Sequence, residues 1–477
     1  MQIKHEKNAI FTVILLVFLL SLCACGRMET RQGTKPIVGA TFLNGTAMTW
    51  DELKAEYDVT DTSIGDYAFK YCDFLCSITI PEGVTVIGDN VFYNCESIRE
   101  ITIPEGVASI GSETFYHCRK LSTITVDNDN PNYSSQDGVL FNKDKTELIC
   151  CPARKINNQD NEYMIPDSVT SIGESAFSGC KHISEIAFPK SLTGIGDYAF
   201  GHCASLNKIV IPEGVNSIGP YAFLLCSSLD SITIPEGVTS IGYEAFYGCE
   251  SLSEITIPES VTSIGDGAFG GCKALSEITI PQSVVSLGTT GTFENCVCLS
   301  EITLPESVTS IGDDAFHGCS SLEKISLPKS VTSIGMDAFG SCTALSEITL
   351  PKDVTSIEVA TFNNCTSLST ITLPEGVTTI WGWAFNLCTS LKEITLPDSV
   401  TSVEHEAFAG CTALKAITLP NSLTSIGNYA FYACLSLTDI YFKGTKAQWG
   451  AIEKGEDWNS NTGDYTIHCT DGDVLKS

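Results

Sequence analysis

Cysteine is the residue with the widest chemistry in this chain of 477, and there are 22 of them. Such a supply can serve disulfides, metal ligation or nucleophilic attack. The spacing argues against all three. Fifteen of the cysteines (72, 95, 118, 180, 203, 226, 249, 272, 296, 319, 342, 365, 388, 411 and 434) hold one position of an internal repeat whose usual period is 23 residues. Residues at one position of stacked coils lie about 5 Å apart, the strand spacing. A disulfide needs Cβ atoms at about 3.8 Å and a specific torsion, so a continuous ladder of bridges is disfavoured, and an odd ladder cannot pair fully. The ladder is expected to be buried free thiols acting as small hydrophobes. Metal ligation needs clustered ligands such as C-x-x-C with a partner pair. Here Cys150-Cys151, Cys72 with Cys76, and Cys296 with Cys298 are isolated, and His117 and His202 stand beside cysteines of different coils. No metal site and no cofactor are expected.

The elements that position these cysteines are legible in the repeat, P-x-x-V-T-x-I-G-x-x-A-F-x-x-C-x-x-L-x-x-I-x-[IL], which runs from Pro81 to Leu437. A fixed period of this length signals a solenoid, whose coils bury their apolar residues only by stacking. In one coil, Leu252-Ser-Glu-Ile-Thr-Ile257 alternates apolar and polar residues as a strand with one buried face. Pro258 ends it, and Val261 to Ile264 is a second short strand. Gly265 turns the chain, and Asp266 is placed to cap a single helical turn. Ala268, Phe269 and Cys272 then point inward. The phenylalanine is invariant across the fifteen coils, from Phe69 to Phe431, which marks it as core.

The insert at 127–165 interrupts the period. Gly138-Val-Leu-Phe and Leu148-Ile-Cys-Cys flank Lys143-Asp-Lys-Thr, which predicts a hairpin. Asp127 and Asp129 invite a calcium loop, but Pro131 and Gly138 fall where an EF-hand needs an oxygen ligand and a glutamate. Thr49-Trp-Asp-Glu52 and Thr445-Lys-Ala-Gln448 fit the capping box and predict short helices that cover the terminal coils.

Stretches such as Ile232-Thr-Ile-Pro-Glu-Gly-Val-Thr-Ser-Ile-Gly and Ala245-Phe-Tyr-Gly-Cys resemble the repeat of the BspA-like, or treponemal-type, leucine-rich-repeat proteins of bacterial surfaces. Asp127-Asn-Asp-Asn-Pro-Asn-Tyr-Ser-Ser, followed by Asp137-Gly-Val-Leu-Phe, resembles an interruption common in that family. The resemblance covers about residues 60–440. It implies a β-rich solenoid, a right-handed, curved leucine-rich-repeat array of about fifteen coils with terminal caps. It also implies adhesion to host proteins or other cells, and it supplies no catalytic residues.

Lys4 and Lys7 precede an apolar run from Ala9 to Leu20, followed by Ser-Leu-Cys-Ala-Cys-Gly at 21–26. That order is an export signal, and the run is short for a membrane span. Its end resembles the lipobox of bacterial lipoproteins, with Leu22 three residues before Cys25 and Ala24 immediately before it. The resemblance implies cleavage after residue 24 and a lipid-modified Cys25. Cys23 competes, but would place bulky Leu22 at the cleavage position. The expected organisation is a signal at 1–24, an anchor and spacer at 25–40, an N-terminal cap at 41–62, the solenoid at 63–440 and a C-terminal cap at 441–477. The protein is then exported and lipid-anchored at the bacterial cell surface, touching the membrane only through its N-terminal lipid. Loss of Lys4, Lys7 and Glu6 leaves 25 basic against 56 acidic residues, a net charge of −31. That balance opposes binding to nucleic acid.

No phosphate loop, nucleotide fold, zinc-protease or serine-elbow motif occurs, so an enzyme is not expected. Partners are expected to be extracellular proteins or glycans, met on one of two surfaces. The first is the outward strand face, with its column Glu254, Glu277, Glu301, Glu347 and Glu393, interrupted by Lys208 and Lys324. The second is where the repeat departs from itself. The glycine after the second strand is missing in three consecutive coils, which read Glu358-Val-Ala, Trp381-Gly-Trp383 and Glu404-His405-Glu406. Stacking gathers these into a patch about 10 Å long, with the tryptophans suited to a hot spot or a sugar platform. A passive structural spacer without a ligand is the rival reading, and an uncharacterised hydrolase a distant third. The lipobox yields a direct prediction: a Cys25→Ala variant incorporates no labelled fatty acid and leaves the membrane fraction, and label retained by that variant contradicts the assignment.

Overall fold

The computed structural model describes residues 39–155 and 162–476; the export signal, Cys25 and nearly all of the spacer lie outside the described residues. Two compact units are divided after Lys155. Both are β-solenoid, with about 17 coils of roughly 23 residues in the chain.

Alternation along the first strand of each coil sets its two faces. In Glu277–Thr279 the outer residues are exposed and Ile278 is buried. Ile278 pairs in parallel with Ile302, and Ile302 with Ile325, so one apolar column enters the core. Second strands such as Ser263–Ile264 and Ser286–Leu287 form a parallel ladder of their own. Behind them, the phenylalanine rings of the second unit stack from Phe177 to Phe431, 5.1–5.6 Å apart and within 20° of parallel. Burying each ring contributes about 1.5–3 kcal/mol.

The helical turn expected after the repeat glycine does not form. That segment is a turn in which two residues four apart take the left-handed conformation, as Tyr221 (φ 57°) and Leu225 (φ 55°) do. Such angles cost a non-glycine residue about 1 kcal/mol or more. They aim N–H groups along the stack: Tyr221, Phe223 and Leu225 donate to the carbonyls of Tyr243, Ala245 and Tyr247 in the next coil, at 2.7–2.8 Å. The Asp266 carboxylate likewise accepts the Thr289 N–H of the next coil instead of capping its own turn. Asp313 does the same for Met336 at 2.8 Å. The backbone of this segment is satisfied by its neighbours, so the local α-turn has no advantage.

The cysteine ladder has a specific place in this scheme. Among the described residues every cysteine is free, and those of the ladder from Cys95 to Cys434 are buried. The phenylalanine carbonyl typically accepts two bonds, as Phe223 shows: the N–H of Cys226 at 3.2 Å, and the thiol of Cys249 from the next coil at 3.2 Å. The thiol bond recurs at 3.0–3.3 Å from Cys95 to Cys434. Serines work in the same manner, Ser260 and Ser283 each donating to a valine carbonyl of the preceding coil at 2.7 Å.

Both capping boxes are formed. Helix α1, Trp50–Glu56, begins at Thr49 with Glu52 closing the box, and α2, Lys446–Ala451, begins at Thr445 with Gln448. A hairpin of Gly39–Phe42 and Ala47–Thr49 covers the edge of Leu75–Thr79. At the far end Gly472–Leu475 runs antiparallel to Thr466–Cys469 and closes the sheet. The count exceeds fifteen because some coils lack the Phe–Cys pair by which coils are counted. Residues 441–477 contribute one: Gly455 donates to Ile426 as Gly427 does to Val403, and Trp458 accepts from Phe431 where an alanine serves elsewhere. The insert contributes another. Asn130, 23 residues after Val107, is fully buried, donates to the carbonyls of Pro104 and Val107, and accepts from Asn132 and Tyr133. The expected hairpin is present, with Leu140 opposite Cys150, and Tyr133–Gln136 adds a third strand through the left-handed Asp137-Gly138 turn.

Burial pushes the ladder thiols up, to about 12 at both Cys319 and Cys434, from an ordinary value near 9. The folded chain keeps protons that the unfolded chain releases above pH 9. Thiol-derived stability is therefore complete below about pH 9 and is lost as pH rises toward about 12, by up to about 1.4 kcal/mol per pH unit for each thiol. A Cys319→Ala, Cys434→Ala variant should be less stable at pH 7 by about 1–2 kcal/mol per site and lose stability less steeply in base. Denaturant titrations of the reduced protein from pH 7 to 11 check this; an unchanged slope contradicts it.

Candidate functional site

The repeat consumes its inward positions and most backbone bonds, so recognition falls to the outward side chains of strands and turns. On the strand face the predicted acids are exposed at Glu254, Glu277, Glu301, Glu347 and Glu393. Their column is broken more than the sequence suggested. Glu277 pairs with Glu301, but Glu301 pairs with Lys324, Glu347 with Thr370 and Glu393 with Ala416. A concavity of about 790 Å³ lies here, lined among others by Glu301, Lys324, Lys329, Glu347 and Lys352. Its charge is mixed, and it does not favour one ligand class.

The turn face differs from coil to coil. Its left-handed positions, set by the inter-coil bonds, carry side chains that range from half-buried to exposed. Trp383 (φ 57°) and Leu387 (φ 59°) are the two such residues of one coil. Together with Trp381 they expose 38%, 44% and, for Trp381, 41% of their surface, a cluster of large apolar groups on an acidic protein. His405 stacks edge-on against Trp383, with ring centres 4.1 Å apart. Gly382 makes that possible, because a Cβ there would collide with the imidazole. Trp381 and Glu404 keep the repeat glycine's hydrogen bond, donating to Ile357 and Ile380 at 3.0 and 2.9 Å, so the substitutions leave the ladder intact. Glu358 turns back to Ser356, whose hydroxyl donates to it. Glu406 (φ 52°) holds the left-handed position one coil after Trp383. The structure thus brings Trp383 and His405 together, leaves Trp381 exposed in the same turn, and adds Leu387, which reading the sequence missed.

Further aromatic columns escaped that reading. In the first unit Tyr71, Tyr93 and Tyr116 follow one another at 5.6 and 4.9 Å, with Lys70 Nζ 4.6–5.3 Å from the Tyr67, Tyr71 and Tyr93 rings. In the second, Tyr198 stacks on Tyr221 at 4.2 Å, and Tyr221 meets Tyr243 at 5.0 Å. Reading down the repeat 23 residues at a time finds Tyr93 with Tyr116 and Tyr198 with Tyr221, whereas Tyr71 and Tyr243 stand one position out of column. The turn face also holds one group with metal-ligand chemistry among the described residues, Asp314, His317 and Asp337. Spacing along the chain hides it, since Asp337 comes from the next coil. No described helix is long and apolar enough to cross a membrane.

Stacked coils of roughly 23 residues, strand on one side and hydrogen-bonded turns on the other, define a leucine-rich-repeat solenoid. The sequence profile of the BspA type leucine rich repeat region (6 copies) matches residues 62–150, 155–275, 239–358, 290–404 and 332–451. The chain belongs to the BspA-type leucine-rich-repeat family. Similar solved structures include a leucine-rich repeat protein from Bacteroides ovatus, 28% identical over 85% of this chain and 87% of that one, TM-score 0.52. A leucine rich cell surface protein from Faecalibacterium prausnitzii is 29% identical, over 82% and 93% of the two chains, TM-score 0.46. One from Eubacterium ventriosum is 28% identical, over 59% and 74%, TM-score 0.43. No curated protein is significantly similar in sequence.

Proposed function

We propose that the protein is a recognition module displayed at the bacterial cell surface, held there by lipid on Cys25. It binds an extracellular protein or glycan through Trp381, Trp383 and Leu387 on the turn face. The observation that carries this reading is the exposure of three large apolar side chains in one coil, on a ladder whose hydrogen bonds they leave intact. Exposed tryptophans are costly in water and effective at interfaces, where an indole offers area, rigidity and one N–H donor. His405 fixes the Trp383 ring, which lowers the entropy lost on binding. The acidic surface around the patch suits a ligand that is neutral or basic. Surface display rests on the export signal and lipobox at residues 1–25 and on the family.

Immobilised extracellular-matrix proteins, surface glycans and neighbouring bacterial cells make the test panel. The wild-type protein should bind at least one member. A Trp381→Ala, Trp383→Ala variant should lose at least tenfold in affinity with an unchanged melting temperature, since both side chains lie outside the core. A wild-type protein that binds nothing on the panel, or a variant that binds as well as wild type, overturns this reading in favour of a passive spacer.

A further inference from the structure

We propose that Asp314, His317 and Asp337 bind one divalent transition-metal ion on the turn face. Asp314 and His317 project from one turn, and Asp337 holds in the next coil the left-handed position that Asp314 holds in its own. Their ligand atoms all lie within 4.8 Å of one another, and His317 Nδ1 is 3.1 Å from Asp337 Oδ2. A cation about 2.1 Å from each donor requires donor separations of about 3–4 Å, so small side-chain adjustments suffice.

Two observations independent of the clustering point to a ligand. Asp337 Oδ1 is shielded from solvent and makes no hydrogen bond, and His317 Nδ1, equally shielded, has only Oδ2 of the same carboxylate beside it. Buried polar atoms are nearly always paired, and a carboxylate oxygen left without a partner is unfavourable. The space is also kept open. Gly340 follows Phe339 where His317 follows Phe316, and a Cβ at Gly340 would collide with Asp337 Oδ1 and stand 3.0 Å from His317 Nδ1. At the other side Gly291 occupies the left-handed position preceding Asp314 in the column. Two carboxylates and one imidazole neutralise a divalent ion, and the imidazole favours a transition metal over calcium or magnesium. Three protein ligands leave coordination positions for water or an outside group.

Mn²⁺ is the probe, because Cys298 and the other accessible thiols compete for Zn²⁺ but bind Mn²⁺ poorly. The purified chain, freed of metal with a chelator, is titrated while free Mn²⁺ is followed by electron paramagnetic resonance. The expected result is one saturable site per chain, a higher melting temperature with Mn²⁺, and at least a tenfold loss of affinity in His317→Ala, Asp337→Asn and Gly340→Ala. Circular dichroism shows whether each variant is folded, and the wild-type titration decides alone if they are not. The absence of one-to-one binding up to millimolar Mn²⁺ overturns the proposal, as does undiminished binding by a folded His317→Ala, Asp337→Asn double variant.

Discussion

The structure depends on one doubly used acceptor, the carbonyl of the repeat phenylalanine. It takes the N–H of the cysteine in its own coil and the thiol of the cysteine in the next, as Phe223 does with Cys226 and Cys249. The first bond closes the turn and the second ties consecutive coils in register. Both operate in a buried layer beside stacked phenyl rings, where an unpaired carbonyl would be expensive. The donor has to be a protonated, unbridged thiol. Cysteine is retained for that reason, small enough for the layer and polar enough to satisfy the carbonyl.

Once the register is held this way, the rest of the coil becomes permissive. The turn segment tolerates two left-handed residues because their N–H groups are bound by the following coil; tyrosine, glutamate, aspartate, asparagine and tryptophan all appear there. Side chains at these positions carry no duty in the core and vary freely. The tryptophan patch, the tyrosine columns and the Asp314–His317–Asp337 group all occupy the turn face. The strand face is spent on parallel pairing and shows a mixture of charges around Lys324. Labour is divided between a structural ladder and a variable turn face, and the proposed recognition uses the latter.

Much of this was legible in the sequence. Periodicity revealed the strands, the inward Phe and Cys columns and the free thiols, while capping-box spacing located α1 and α2. What escaped depends on the neighbouring coil. Asp266 looks like a helix cap because its own turn offers free N–H groups, yet the Thr289 N–H is the better-placed donor. Trp458 and Asn130 complete coils without the residues that define one. His317 and Asp337 meet only through the stack, 20 residues apart in the chain. The Asp137-Gly138 turn is legible in its dipeptide alone, since both residues take the left-handed conformation that such a pair favours.

Differential alkylation read by mass spectrometry addresses the thiol ladder most directly. The native protein, exposed to iodoacetamide in the absence of reductant, should be modified at Cys298, the one exposed cysteine among the described residues. The fourteen buried ladder cysteines from Cys95 to Cys434 should react only after denaturation, each as a free thiol. Cysteines of adjacent coils recovered as disulfides from the native protein, or ladder thiols alkylated as fast as Cys298, would contradict the account.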